Sequence, residues 1–187
     1  GTPATAVATE SPAAADGALW RIDGDESLLT IQVLRGGPLA RLGHNHVIAA
    51  RGMEGSVRLA APLEKSSFVL RLPVAGFTVD EARLRATAGE DFAAAVPDSA
   101  RAGTRSNMLG SALLDAEHYP DILLQSQSVR RNGQGCVATV RVSVRGMQRD
   151  ITLPLTLQRD AHSLTVSGAL ELRQSELGLT PFAVMMG

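Results

Sequence analysis

Two histidines set two residues apart carry the sharpest chemical signal in this sequence. His44 and His46 stand in Gly43-His-Asn-His46. On an extended strand, residues i and i+2 project to one face, so both imidazoles could meet one ion or one polar group. Two ligands do not complete a transition-metal site, and His118 and His162 lie far away along the chain. The pattern therefore favours hydrogen bonds to a neighbouring loop, or to the polar head of a ligand, because neutral imidazole can donate to a carbonyl or phosphate oxygen. A metal- or redox-linked site on His44 and His46 is the alternative.

The other chemistry-bearing residues say less. Ser, His and Asp are all present, but no Gly-x-Ser-x-Gly elbow and no His-Glu-x-x-His occurs. Gly36-Gly37 precedes Pro38 instead of opening a helix after a strand, unlike a phosphate loop. Glu90-Asp91 reads as a solvated turn or a helix cap. Cys136 is the single cysteine, which excludes an internal disulfide and a cysteine metal cluster. It falls in an apolar row, where a buried, inert thiol is expected. Arg149 is expected on an outer wall. These residues point to a binding protein, not an enzyme.

The elements that must position them alternate with a period of two. Leu29, Ile31 and Val33 share one face of a first strand. Phe68, Leu70, Leu72 and Val74 alternate with Val69, Arg71 and Pro73, and Ile122 and Leu124 lead toward a turn at Asn132-Gly133. Cys136, Ala138, Val140, Val142 and Val144 form another row, which ends in a turn at Arg145-Gly146. Ile151, Leu153, Leu155 and Leu157 follow, and then Leu164, Val166, Leu170 and Leu172. So many half-wet strands with tight connections imply antiparallel pairing, and closure into a barrel or sandwich hides their edges. Pro73 and Pro154 lack a ladder N–H and belong at an edge, a bulge or a strand end.

Two stretches break the alternation. Residues 80–114 are rich in helix formers and divided by Pro97 and Gly103. They predict one or two short helices capping a barrel end, with Thr104 or Ser106 as an N-cap. Residues 1–17 are rich in Ala, Thr and Pro with hardly any large apolar side chain, which predicts a disordered linker. That segment also holds no Lys or Arg and no apolar core of an export signal.

Charge narrows the partners. Eighteen basic against 19 acidic residues give a net charge of −1. This removes the clustered basic surface that nucleic acid or an anionic membrane would require. No apolar run approaches the roughly 20 residues that span a bilayer.

An ordered series of segments resembles the YceI-like family. It comprises Trp20-Arg-Ile-Asp23 with Ser27, Met53-Glu-Gly-Ser-Val57, Phe77-Thr-Val-Asp80 and Leu109 through Tyr119-Pro120, followed by Val140 through Arg149 and Leu177-Gly-Leu179. The resemblance implies an all-β domain over residues 18–187, an antiparallel eight-stranded lipocalin-like barrel. It also implies export to the periplasm or beyond, and a polyisoprenoid, isoprenoid quinone or fatty-acyl ligand held along the axis. Gly43-His-Asn-His46 departs from the family's glycine-aromatic stretch, and residues 83–102 are longer than the family needs. Seven strands are clear, so the barrel is expected to be open on one side, with a possible homodimer through that edge. The expected lining is Leu29, Ile31 and Val33; Phe68, Leu70 and Leu72; Val140 and Val142; Leu153 and Leu155; and Val166 and Leu170. Met108 and Leu109 join from the capping segment, and His44 and His46 serve as polar contacts. No cofactor is expected beyond a bound isoprenoid or quinone lipid.

Overall fold

The structure, a computed structural model, describes residues 2–11, 17–34 and 45–170. Its ten strands are β1 (Thr2–Ser11), β2 (Ala18–Val33), β3 (His46–Ala50), β4 (Glu54–Leu59) and β5 (Ser67–Pro73), then β6 (Phe77–Val79), β7 (Asp121–Asn132), β8 (Gly135–Val144), β9 (Met147–Arg159) and β10 (Ser163–Leu170). Two helices interrupt them, α1 (Ala82–Ala86) and α2 (Asp98–Leu109). Every pairing is antiparallel.

The strands form one sheet in the order β1-β10-β9-β8-β7-β5-β4-β2-β3-β6, and β1 also pairs with β2, so the ladder returns to its start. β3 and β4 lie end to end along β2, opposite Leu29–Val33 and Ala18–Arg21 respectively. β5 and β6 continue the same way along β4 and β3. Ten strands, two pairs of which share a position, make an eight-position barrel.

The N-terminal segment differs from one expectation. Thr2–Ser11 is a strand, not a linker, pairing with β10 from Thr2↔Leu170 to Thr9↔Ser163 and with β2 from Ala4↔Leu29 to Ser11↔Leu19. Its poverty in large side chains misled, because what it supplies is backbone. Without it, the facing edges of β10 and β2 would both lack a ladder partner. Among the described residues the eighth position is therefore filled by this chain.

The capping segment also differs in detail. α2 starts after Pro97, at Asp98, not at Thr104 or Ser106, and Gly103 lies inside it. Thr104 and Met108, one turn apart, are its buried residues. Their packing outweighs the cost of about 1 kcal/mol for an interior glycine. Arg105 fixes the helix to the barrel, donating from Nε to the Phe77 carbonyl at 2.9 Å and from Nη2 to that of Ala75 at 2.9 Å.

Both prolines sit where the ladder tolerates them. Pro73 ends β5. Pro154 is mid-strand but lies past the end of the β9–β10 ladder, which runs from Arg159↔Leu164 to Thr156↔Ser167. Among the described residues no helix is long and apolar enough to cross a membrane.

Candidate functional site

Strand alternation builds an inner wall from aliphatic rows. On β8, Cys136, Ala138, Val140, Val142 and Val144 are all buried. They share one cluster with Ile48, Leu72, Val74, Phe77, Met108 and Leu114. On β9, Ile151, Leu153, Leu155 and Leu157 face the same way and pack on that cluster, yet each stays partly exposed while Thr152, Pro154 and Thr156 point to solvent. Ile22, Leu29, Ile31 and Val33 on β2, Phe68 and Leu70 on β5, and Leu109 at the end of α2 behave like the β9 row. An inward aliphatic row that keeps solvent contact borders open space.

The ends of the barrel differ. Where β2 begins and β10 begins, Trp20 and Leu164 are both fully buried, with Ala18, Ile22, Val57, Leu59 and Val166 packed on them. The Arg159 guanidinium lies 5.4 Å from the Trp20 ring centroid. At the opposite end, the β8–β9 turn places Arg145 and Gly146 at positive φ. There Val144 pairs with Met147 and Val142 with Arg149. Directly paired residues share a sheet face, so Arg149 continues the inward row at the exposed rim and is not on the outer wall. Leu34, Tyr119 and Met147, exposed large side chains, flank strand ends on this side.

His46 sits at that end in a buried polar knot. Its Nδ1 donates to Asp80 Oδ2 at 2.6 Å, and the side chains are 3% and 0% exposed. Asp80, held at φ 54°, accepts on Oδ1 from the Val47 N–H at 2.9 Å and from Arg85 Nη1 at 2.8 Å. Its own N–H donates to the Val47 carbonyl at 2.8 Å. Burial raises the Asp80 carboxyl, but the His46 and Val47 hydrogen bonds and the His46 and Arg85 charges outweigh it, holding the group below its ordinary range. The knot ties β3 to the start of the helical segment. An imidazole oriented by a carboxylate is a familiar base pair, but this one is sealed from any substrate arriving through solvent.

Beside the knot, a groove of about 560 Å³ runs under α1 and residues 89–96. Five alanines line it, with Arg85 lying 5.8 Å from the centroid of buried Phe92. Two of the Arg85 nitrogens are already donated to the Ala94 carbonyl.

The structure brings most expected lining residues to the inner face. Leu29, Ile31, Val33, Phe68, Leu70, Leu109, Leu153 and Leu155 are partly buried and pack against the core cluster, whereas Leu72, Met108, Val140 and Val142 belong to it. Val166 joins the Trp20 end. Leu170 is half-buried at the last described position and belongs to neither cluster. His44, Gly36-Gly37, Leu172 and Leu177-Gly-Leu179 lie outside the described residues. His118 pairs with Asp115 at 2.9 Å in the turn after α2, while His162 sits in the β9–β10 turn at the other end. Among the described residues no three His, Cys, Asp or Glu side chains gather around a possible metal position. Burial raises the Cys136 thiol, partly countered by the charge of Arg131. Sequence reasoning missed Asp80 and Arg85, whose pairing needs the fold, and did not see Trp20 as the floor.

A family model for the YceI-like domain matches residues 20–187. The chain belongs to the YceI-like family. The crystal structure of BcnA from Burkholderia cenocepacia is similar in fold, with a TM-score of 0.58 at 14% identity, over 94% of this chain and 81% of that one. Among curated proteins no relative matches. The Thr2–Ser11 strand thus precedes the matched YceI-like region and completes its barrel.

Proposed function

We propose that this YceI-like barrel is a periplasmic binding and carrier protein for one long apolar molecule, a polyisoprenoid, isoprenoid quinone or fatty-acyl compound, and that it performs no catalytic step. The observation that carries the reading is the partly exposed inward row of Ile151, Leu153, Leu155 and Leu157, with Leu29, Ile31 and Val33 on β2. Leu, Ile and Val left facing an open space are unfavourable in water, and an aliphatic chain removes that penalty.

The magnitudes are adequate. Ile151 to Leu157 spans roughly 20 Å at about 3.3 Å per residue, the scale of a prenyl or acyl chain. Each methylene transferred from water contributes about 0.8 kcal/mol, so about ten supply roughly 8 kcal/mol before ordering costs. Leu109 and Arg149 stand at the rim, where a chain would enter. His46 is assigned no direct part, because its side chain is 3% exposed and paired with Asp80.

Solvent extraction of the purified protein followed by mass spectrometry tests this. The expected result is a long-chain lipid at near one per protein, and delipidated protein that rebinds an isoprenoid quinone or palmitate. An empty extract combined with no uptake of either compound rejects the carrier reading.

A further inference from the structure

We propose that Arg149 selects the ligand by its head group, holding an anionic oxygen group, a carboxylate or a phosphate, at the rim while the tail lies in the lumen. The inference rests on the carrier reading and narrows it, placing anionic amphiphiles above neutral ones such as quinones.

Register fixes the face on which Arg149 stands. Cross-strand partners share a sheet face, and Arg149 pairs with Val142, which is buried in the core cluster. Two residues on, Ile151 pairs with buried Val140 and begins the aliphatic row that runs to Leu157. Arg149 itself is exposed, so a cation stands in line with that row on its solvent side. The other charged groups of the hairpin are engaged elsewhere. Asp150 holds Arg141 on the outer face, and Arg145 donates from Nη1 to the Leu113 carbonyl at 3.0 Å.

The Arg149 guanidinium also has the right edge to offer. Its Nη1 donates to the Gln148 carbonyl at 2.9 Å, while Nε and Nη2 meet no acceptor among the described residues. Elsewhere in this molecule that same edge grips a carboxylate. Nε and Nη2 of Arg51 reach the two Glu81 oxygens at 3.1 and 2.7 Å, and those of Arg141 reach the two Asp150 oxygens. Two parallel N–H donors match a pair of oxygens on a carboxylate or a phosphate equally well.

The direction of the ligand follows. Arg131 and Arg159 also continue inward rows, opposite Cys136 and Leu164, but at the end where Trp20 and Leu164 are fully buried. The tail points toward that closed end, along Ile151 to Leu157, and the head stays at the exposed rim with Arg149.

Two matched pairs test this on delipidated protein at pH 8, each compound delivered from cyclodextrin: palmitate against methyl palmitate, and farnesyl phosphate against farnesol. The anionic member should bind about fivefold tighter, the worth of one ion pair at a solvent-exposed rim. The pair that shows the preference names the source of the head group, a fatty acid or a prenyl phosphate. Molar salt should erase it, because an exposed pair is screened. Arg149→Gln should bring the ratio to near unity with binding of the neutral compounds retained, and Arg149→Lys should keep part of it. Arg141→Gln, the same change on the outer face of the hairpin, should leave the ratio whole. Equal affinity within both pairs, or a preference that survives molar salt or Arg149→Gln, overturns the proposal and leaves the carrier reading standing. Failure of all four compounds to bind overturns the two together.

Discussion

β8 and β9 are the two arms of one hairpin, paired residue for residue from Val144↔Met147 to Cys136↔Leu155, yet their inward rows meet different surroundings. The β8 row is sealed, Ala138 and Val140 completely, while the neighbouring β9 row keeps part of its surface open. Both rows are aliphatic, so side-chain type does not explain the contrast. What differs is burial: the β8 row belongs to the buried cluster that also holds Met108 and Leu114, while the β9 row packs against that cluster from a partly exposed position. One arm is core and the other keeps part of its surface open. Under the carrier reading, one wall carries the packing and the other is left for a guest.

The contrast breaks most severely at Asp80, which ties β3 to the capping segment on the packed side. Asp80→Ala leaves His46 and Arg85 buried without their carboxylate, and loss of one partner of such a group costs about 3–5 kcal/mol. Urea denaturation measures it. The pH dependence has a definite sign. Because the folded-state pKa is lowered, the contribution of Asp80 is complete above the ordinary carboxylate value of about 4 and is lost as pH falls through the lowered one. Wild-type stability should drop on acidification through that window, and Asp80→Ala should drop less steeply. An unchanged acid limb in the variant would remove Asp80 from the account.

A second pair of substitutions sharpens the comparison directly. Val140→Ala removes two methyl groups from a sealed site and should cost about 2 kcal/mol, transfer and cavity terms together. Leu155→Ala removes more atoms but from a surface already partly open, and in delipidated protein should cost less than about 1.5 kcal/mol. The order should reverse for ligand uptake: Leu155→Ala weakens palmitate binding while Val140→Ala leaves it nearly intact. If the β9 deletion proves the costlier in delipidated protein, the β9 row is core and the hollow disappears.

Much of this architecture was legible in the sequence, and the reasons for the rest are physical. Period-two rows such as Cys136–Val144 and Ile151–Leu157 declare which side chains share a face, because alternation is a property of one strand. Those rows do not declare which is packed and which stays partly exposed, because that depends on contacts brought from far along the chain. The same holds for Thr2–Ser11. A strand that contributes a ladder between two existing edges needs little hydrophobicity of its own, so its composition reads as a linker. Asp80 was visible only as part of a family segment, since its partners His46 and Arg85 come from β3 and α1. Arg149 was misassigned because polarity alone suggested the outer wall, whereas its pairing with Val142 fixes the face.

The smallest expected effect supplies the control that the hairpin comparison needs. Arg141 and Asp150 pair directly across β8 and β9 on the outer face, with Nε to Oδ1 at 3.0 Å and Nη2 to Oδ2 at 3.3 Å. Both side chains are well exposed, so the solvent competes for each charge and salt screens what attraction is left. Arg141→Ala should lower stability less than either inward deletion, leave palmitate binding unchanged, and lose even that small effect in molar salt. The outer pair samples the integrity of the hairpin without touching the lumen. A large, salt-insensitive cost at Arg141 would mean that any disturbance of this hairpin is amplified, and the Val140 and Leu155 costs could then no longer be assigned to packed and open sides.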